Sequence, residues 1–134
     1  MFGYCVYLFG GLISFTSKQM KIVALSSCEA EYVAATACCK EIKFIRSICA
    51  DMGLIFDGPL VLCVDNTAAI DVAHNNGASG RTKHFDMSIH YFRDQVFYGY
   101  IKPVHVFTHL QRADGYTKCL DQQKYLTWCE TQIV

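Results

Sequence analysis

The sequence predicts a single mixed α/β domain, and three observations predict it. Its 134 residues are 52% hydrophobic and only 18% charged, enough apolar surface to bury a core and too little charge for disorder. Short runs rich in aromatic and β-branched residues alternate with long stretches of helical period. No internal repeat, low-complexity tract or linker-like change of composition divides the chain, so residues 1–134 read as one unit.

The elements follow in order. Residues 2–9 and 12–17 flank Gly10-Gly11 and predict a β-hairpin. Ser26 opens a helical pattern, and Ser26 with Glu29 forms an S-x-x-E capping box. That helix is expected to run to about Met52 and stop at Gly53. LVLCVDN is a continuous apolar run of strand length that ends in an acid, and TAAIDVAH continues as a short helix. The loop NNGASGRTK leads to a second long helical stretch, FDMSIHYFRDQVFYG. IKPVHVF is strand-like, with Pro103 pointing to an edge position or a strand start. The tail from about Arg112 to Ile133 reads as helical, which gives the order β-β-α-β-α-α-β-α.

Composition narrows the function. The formal net charge is zero, which argues against a dedicated nucleic-acid binder with a broad basic surface and leaves room for a small local patch. The eight cysteines contain no C-x-x-C pair and predict free, mostly buried thiols in a reducing compartment. No run is long enough to cross a membrane, and MFGYCVYLFGGLISF lacks the basic start of a signal peptide.

Two glutamates in LSSCEAEYVAA have different prospects. On a helix Glu31 lines up with Ala35, Cys38, Ile42, Ile45 and Cys49, an apolar stripe expected to face the sheet. Glu29 lines up with Thr36, Lys40 and Lys43, expected to be a solvated face. A carboxylate at the edge of a buried stripe is costly unless paired or metal-bound, although a partly exposed surface acid would satisfy the same pattern. Asp65 follows the run Leu60–Val64, at the carboxyl end of a strand, where open α/β sheets bind ligands. A helix cap is the plainer reading, but Asn66 can cap equally well. Asp114, in THLQRADGYTK, is either a turn acid or a third member of a site. Clustered carboxylates repel one another, and hard divalent cations such as Mg²⁺ or Mn²⁺ relieve that repulsion. Paired ions of this kind support phosphodiester cleavage.

The runs GYCVYLFGGLISFTSKQ, LSSCEAEYVAA, VDNTAAIDVAHN, RTKHFDMSIHYFRDQV and QRADGYTK, in this order and spacing, make nearly the whole chain resemble one family. It is the ribonuclease H domain of the Pol polyprotein of Copia-type LTR retrotransposons. The resemblance implies a ribonuclease-H-like mixed sheet flanked by helices. It implies endonucleolytic hydrolysis of the RNA strand of an RNA–DNA hybrid by two-metal-ion catalysis, with Mg²⁺ or Mn²⁺. By the same resemblance, Glu31, Asp65 and Asp114 are the catalytic and metal-binding acids. Arg81, Lys83 and His84 lie near the hybrid backbone, where contacts give affinity without sequence specificity. The plainer reading of those three is a solvated loop. The partners implied are an RNA–DNA hybrid and the reverse transcriptase and integrase portions of the polyprotein, with no membrane. The setting implied is intracellular, in a cytoplasmic virus-like particle or the nucleus.

The chain departs from the family in ways that bear on activity. The family's first strand, central in its sheet and carrying a further Asp, would precede Met1. The chain therefore reads as an N-terminally truncated copy lacking that strand and one acid of four. Asp51, Asp57, Asp71, Asp86 and Asp121 sit in no matching context. Impaired activity is expected; the alternative is a catalytically dead remnant that binds nucleic acid weakly or serves as a protein-interaction module. Without the central strand the hairpin is expected to close against strand 60–64, or the chain to be marginally stable. Gly115 and Cys119 replace an apolar residue and a proline of the family pattern. His109 stands five residues before Asp114, where cellular relatives carry a mobile histidine that aids product release. His74, His90 and His105 read as structural; Tyr91, Phe92, Val96 and Phe97 read as core; Trp128 reads as a core anchor of the last helix.

Overall fold

The computed structural model describes residues 1–21, 27–74 and 83–132, with no side-chain description for 83–86. The order of elements is the expected one. β1 (Phe2–Leu8) and β2 (Gly11–Lys18) form the hairpin, and α1 (Ser27–Asp51) follows. β3 (Leu60–Val64), α2 (Thr67–His74), α3 (Lys83–Phe97) and β4 (Ile101–His105) come next, and α4 (Gln122–Gln132) closes the described chain. The architecture is mixed α/β, four helices with small sheets, consistent with the ribonuclease-H-like expectation.

Sheet pairing departs from expectation. β1 pairs antiparallel with β2, and β3 pairs parallel with β4, as two separate two-stranded sheets. The hairpin does not close against residues 60–64. The edge of β3 that it would need is met by a side chain instead, Gln111 Nε2 donating to the Cys63 carbonyl at 3.2 Å, while Tyr4 and Val6 hold the hairpin on the core. The turn is shifted by one residue, with Phe9 and Gly10 both at positive φ (51° and 83°), the two-residue geometry that matches strand twist. β4 is an edge strand, as Pro103 suggested. Leu60 N–H donates to the Tyr100 carbonyl, so by alternation residue 103 turns its nitrogen outward, where proline's missing donor costs nothing.

α1 is buried on two sides. Ala35, Cys38, Ile42 and Cys49 of the predicted stripe are buried. The face expected to be solvated is also partly covered: Glu29 and Thr36 are buried, with α3 packed alongside. Thr36 Oγ1 donates to the Ser88 carbonyl at 2.8 Å, which satisfies a polar group a buried helix face must not leave unpaired. The capping box at Ser26 lies outside the described residues. Phe92 is fully buried and Tyr91 and Val96 pack against the core, but Phe97 is 80% exposed. It stands in the last turn of α3, where its ring meets only Tyr98, edge-on, among the aromatic rings of the described residues. All eight cysteines are free, as expected, but only Cys38, Cys39 and Cys49 are buried.

The tail is less helical than expected. Two short 3₁₀ turns, Thr108–Leu110 and Arg112–Tyr116, precede α4. Trp128 anchors α4 by packing on the second turn, not in the main core. Its indole N–H donates to the Arg112 carbonyl at 2.7 Å, and its ring lies flat over Gly115. A Cβ on residue 115 would collide with Trp128 Cε2. The glycine that departs from the family pattern is thus the residue Trp128 requires.

A carboxylate cleft as candidate active site

A cleft of about 940 Å³ lies between β1 and β3, with α1 along one wall and residues 110–118 along another. Glu31, Asp65 and Asp114 all line it. Glu31 comes from the second turn of α1, on the edge of the buried stripe. Asp65 is delivered by the end of β3, whose last carbonyl, on Val64, accepts from Val106 N–H at 3.0 Å. Asn66 Oδ1 accepts from Ala69 N–H at 3.3 Å and caps α2, so Asp65 is left to face the cleft. Asp114 sits in the second 3₁₀ turn, where its carbonyl accepts from the backbone N–H groups of Thr117 and Lys118. Gly3 lets this segment lie close on β1, since a Cβ there would meet Thr117 Cγ2 at 2.6 Å.

The electrostatics tie the three acids together. Glu31 is pushed up from 4.5 to about 7, first by burial and then by the charges of Asp65 and Asp114, against the opposing pull of Lys118. Lys118 Nζ lies 2.6 Å from Asp114 Oδ2, with the lysine side chain 53% exposed. Among the described residues no three acid, histidine or cysteine side chains are close enough together to hold one metal ion. The donor chemistry, three carboxylates, suits a hard divalent cation. The spacing does not preform its cage, and the carboxylate of Asp114 is occupied by an ammonium.

Arg81 lies outside the described residues. Lys83 and His84 begin α3, with no description of their side chains. His109 is exposed on the first 3₁₀ turn, its ring stacked on Phe107 at 5.8 Å, and it does not line the cleft. His74, His90 and His105 are exposed. Three cleft residues escaped the sequence reading. Lys118 pairs with Asp114, and the i,i+4 spacing of the two was its signal. Arg112 stacks its guanidinium 4.6 Å from the centre of the Tyr7 ring, and Gln111 Nε2 donates to the Cys63 carbonyl at 3.2 Å. Neither contact has a sequence signature, because both partners are distant in the chain. Among the described residues no helix is long and apolar enough to cross a membrane.

The chain is similar to a segment of several plant transposon proteins. It is 37% identical over 123 residues to the retrovirus-related Pol polyprotein from transposon TNT 1-94 of Nicotiana tabacum, covering 92% of this chain and 9% of that protein. It is 38% identical over 120 residues to the Pol polyprotein from transposon RE2 of Arabidopsis thaliana, covering 90% of this chain and 8% of that protein. The Pol polyprotein from transposon RE1 of the same plant is 37% identical over 123 residues, again 8% of its length. No family model and no solved structure matches the chain. Its homologues are retrovirus-related Pol polyproteins of plant transposons, and the 134 residues span under a tenth of their length.

Proposed function

We propose that the chain is the ribonuclease H segment of a Copia-type Pol polyprotein, descended from an endonuclease that hydrolyses the RNA strand of RNA–DNA hybrids. The observation that carries this reading is the meeting of Glu31, Asp65 and Asp114 at one cleft, from a helix start, a strand end and a late turn. Similarity to plant Pol polyproteins over about nine-tenths of the chain supports it. In the intact family this reading invokes, the acids at the positions of Glu31, Asp65 and Asp114 would hold Mg²⁺ or Mn²⁺, which would supply charge neutralisation and an activated water; in this chain their arrangement does not preform that site. Arg81, Lys83 and His84 would touch the hybrid backbone. The working context would be the polyprotein, with its reverse transcriptase and integrase portions, inside a virus-like particle or the nucleus.

The 134 residues alone are impaired in this reading. Their three acids do not form a group that could hold a metal ion, and Lys118 neutralises Asp114. The same observation favours the second reading, a remnant that binds nucleic acid weakly without cutting it. The test is cleavage of an RNA strand labelled within an RNA–DNA hybrid, with Mg²⁺ and then Mn²⁺, and Glu31→Gln alongside. Cleavage that is weak, stronger in Mn²⁺ and lost in Glu31→Gln supports the impaired enzyme. Binding of hybrid without cleavage supports the remnant. Neither binding nor cleavage, from a chain that circular dichroism finds folded, would sink both and leave a protein-interaction module.

A further inference from the structure

Among the described residues three cationic side chains line the cleft, and two of them are engaged away from the acids. Arg46 donates to the carbonyls of Phe56 at 2.9 Å and Gly58 at 3.5 Å. Arg112 lies over the Tyr7 ring. The third, Lys118, puts its ammonium 2.6 Å from Asp114 Oδ2, and its charge also pulls Glu31 toward the ionised form. The backbone sets this reach. The Asp114 carbonyl accepts from Thr117 N–H at 3.0 Å and from Lys118 N–H at 2.9 Å, a turn that brings residue 118 back over residue 114. Lys118 is therefore tied to Asp114 twice, once through its backbone and once through its side chain. Thr117, next to it, is seated against β1 at Gly3, so the turn is fixed to the wall of the cleft.

The exposures of the pair differ. The side chain of Asp114 is 21% exposed and that of Lys118 is 53% exposed, so a largely covered carboxylate meets a lysine that enters from the solvent side. Their attraction is less screened than that of a fully exposed pair. Three carboxylates that share a cleft need positive charge close by, and a hard divalent ion is one source of it. The described acids form no group that could hold such an ion. A positive charge is already built into the chain at Lys118. We propose that Lys118 is the resident counter-cation of the three-acid cluster: its ammonium supplies the charge neutralisation that a divalent ion would otherwise supply, and it keeps Asp114 paired. Lys118 is a positioning residue in this role, acting through Asp114 directly and through Glu31 by its charge. The comparison with a metal rests on the proposed function. The charge pairing does not, and its test contains no nucleic acid, so loss of cleavage leaves it standing.

The test is a double-mutant cycle on the full chain, read as thermal unfolding by circular dichroism at pH 8 and low salt. Its members are the parent, Lys118→Met, Glu31→Gln and the double variant. Methionine keeps an apolar stem and removes the charge, at a side chain exposed enough to accept it. Glu31→Gln is expected to raise the melting temperature by at least about 2 °C more in the Lys118→Met background than in the parent, because the cluster has then lost its cation. Lys118→Arg keeps the charge and is expected to behave as the parent does. In about 10 mM MgCl₂ the parent is expected to melt within about 1 °C of a sodium chloride control of equal ionic strength. A site with a dissociation constant of about 1 mM would instead add about 5 °C. Equal gains from Glu31→Gln in the two backgrounds would reduce Lys118 to a surface partner of Asp114 alone and overturn the proposal. So would an arginine variant that behaves like the methionine one, or a Mg²⁺ shift of several degrees in the parent.

Discussion

Replacing Glu31 by glutamine should stabilise the protein, and the gain should depend on pH. Burial and the neighbouring charges of Asp65 and Asp114 hold the Glu31 carboxyl at about 7, against an ordinary 4.5. Its folded-state value is raised, so the folded chain binds the proton more tightly than the unfolded chain does. The associated stability is fully present below pH 4.5 and is lost as pH rises to 7. At about 1.4 kcal/mol per tenfold change in proton affinity, the ceiling of the loss is about 3 kcal/mol. The cleft is open to water, so screening reduces this to about 1.5 kcal/mol. Glutamine has the same shape and carries no charge, so Glu31→Gln avoids that loss. With about 2.1 cal/mol/K of unfolding entropy per residue, the variant should melt about 5 °C above the parent at pH 8 and equal to it at pH 4.5. Thermal unfolding of both proteins by circular dichroism, from pH 4.5 to 8.5, reads the difference; other titrating groups cancel in it. A difference that does not change with pH would refute the placement of Glu31 among the three acids.

Other perturbations test the packing. Gly115→Ala drives a Cβ into the Trp128 ring and should cost about 1–3 kcal/mol, with a red-shifted tryptophan emission as α4 lifts away. Phe92→Ala empties an aromatic position with no exposed surface and should cost about 3–5 kcal/mol in a urea titration. That is a large share of the stability of any domain this size. Iodoacetamide at pH 8 should alkylate the exposed Cys63 and Cys119 first, with mass spectrometry of digests as the readout. Cys38 and Cys39 should resist until the chain unfolds, because burial raises both thiols, Cys39 to about 12.

What could be read from the sequence was what depends on neighbours along the chain. The hairpin, the length of α1, the strand before Asp65 and the short helix after it all follow from local period and turn residues, and all are present. The stripe that singled out Glu31 is buried because one face of α1 packs against the strands. The same reasoning misplaced Glu29 and Thr36. A helix with one buried stripe has one neighbour, and α1 has a second, α3, whose approach is set by contacts far away in sequence. Phe97 was assigned to the core from its helical spacing, but spacing does not say where the covering surface ends. The tail failed for another reason: the 3₁₀ turn at Arg112–Tyr116 is held by Trp128 from α4, a contact no local pattern announces. Pairing between strands is the least local property of all, and the split into two sheets was not legible.

That split has a consequence for cooperativity. The hairpin closes through a two-residue turn, while β3 and β4 meet only after α2 and α3 have been laid down between them. The loop-closure entropies of the two pairs differ accordingly. No ladder of hydrogen bonds obliges them to open together, and their coupling runs through side-chain packing on α1. The molecule is thus built as two strand pairs on a shared helix, and opening the β3–β4 pair releases the larger loop-closure entropy. In a cell, proteases sample such partial openings, so the lifetime of the protein would follow the easier of the two openings and not the stability of the whole.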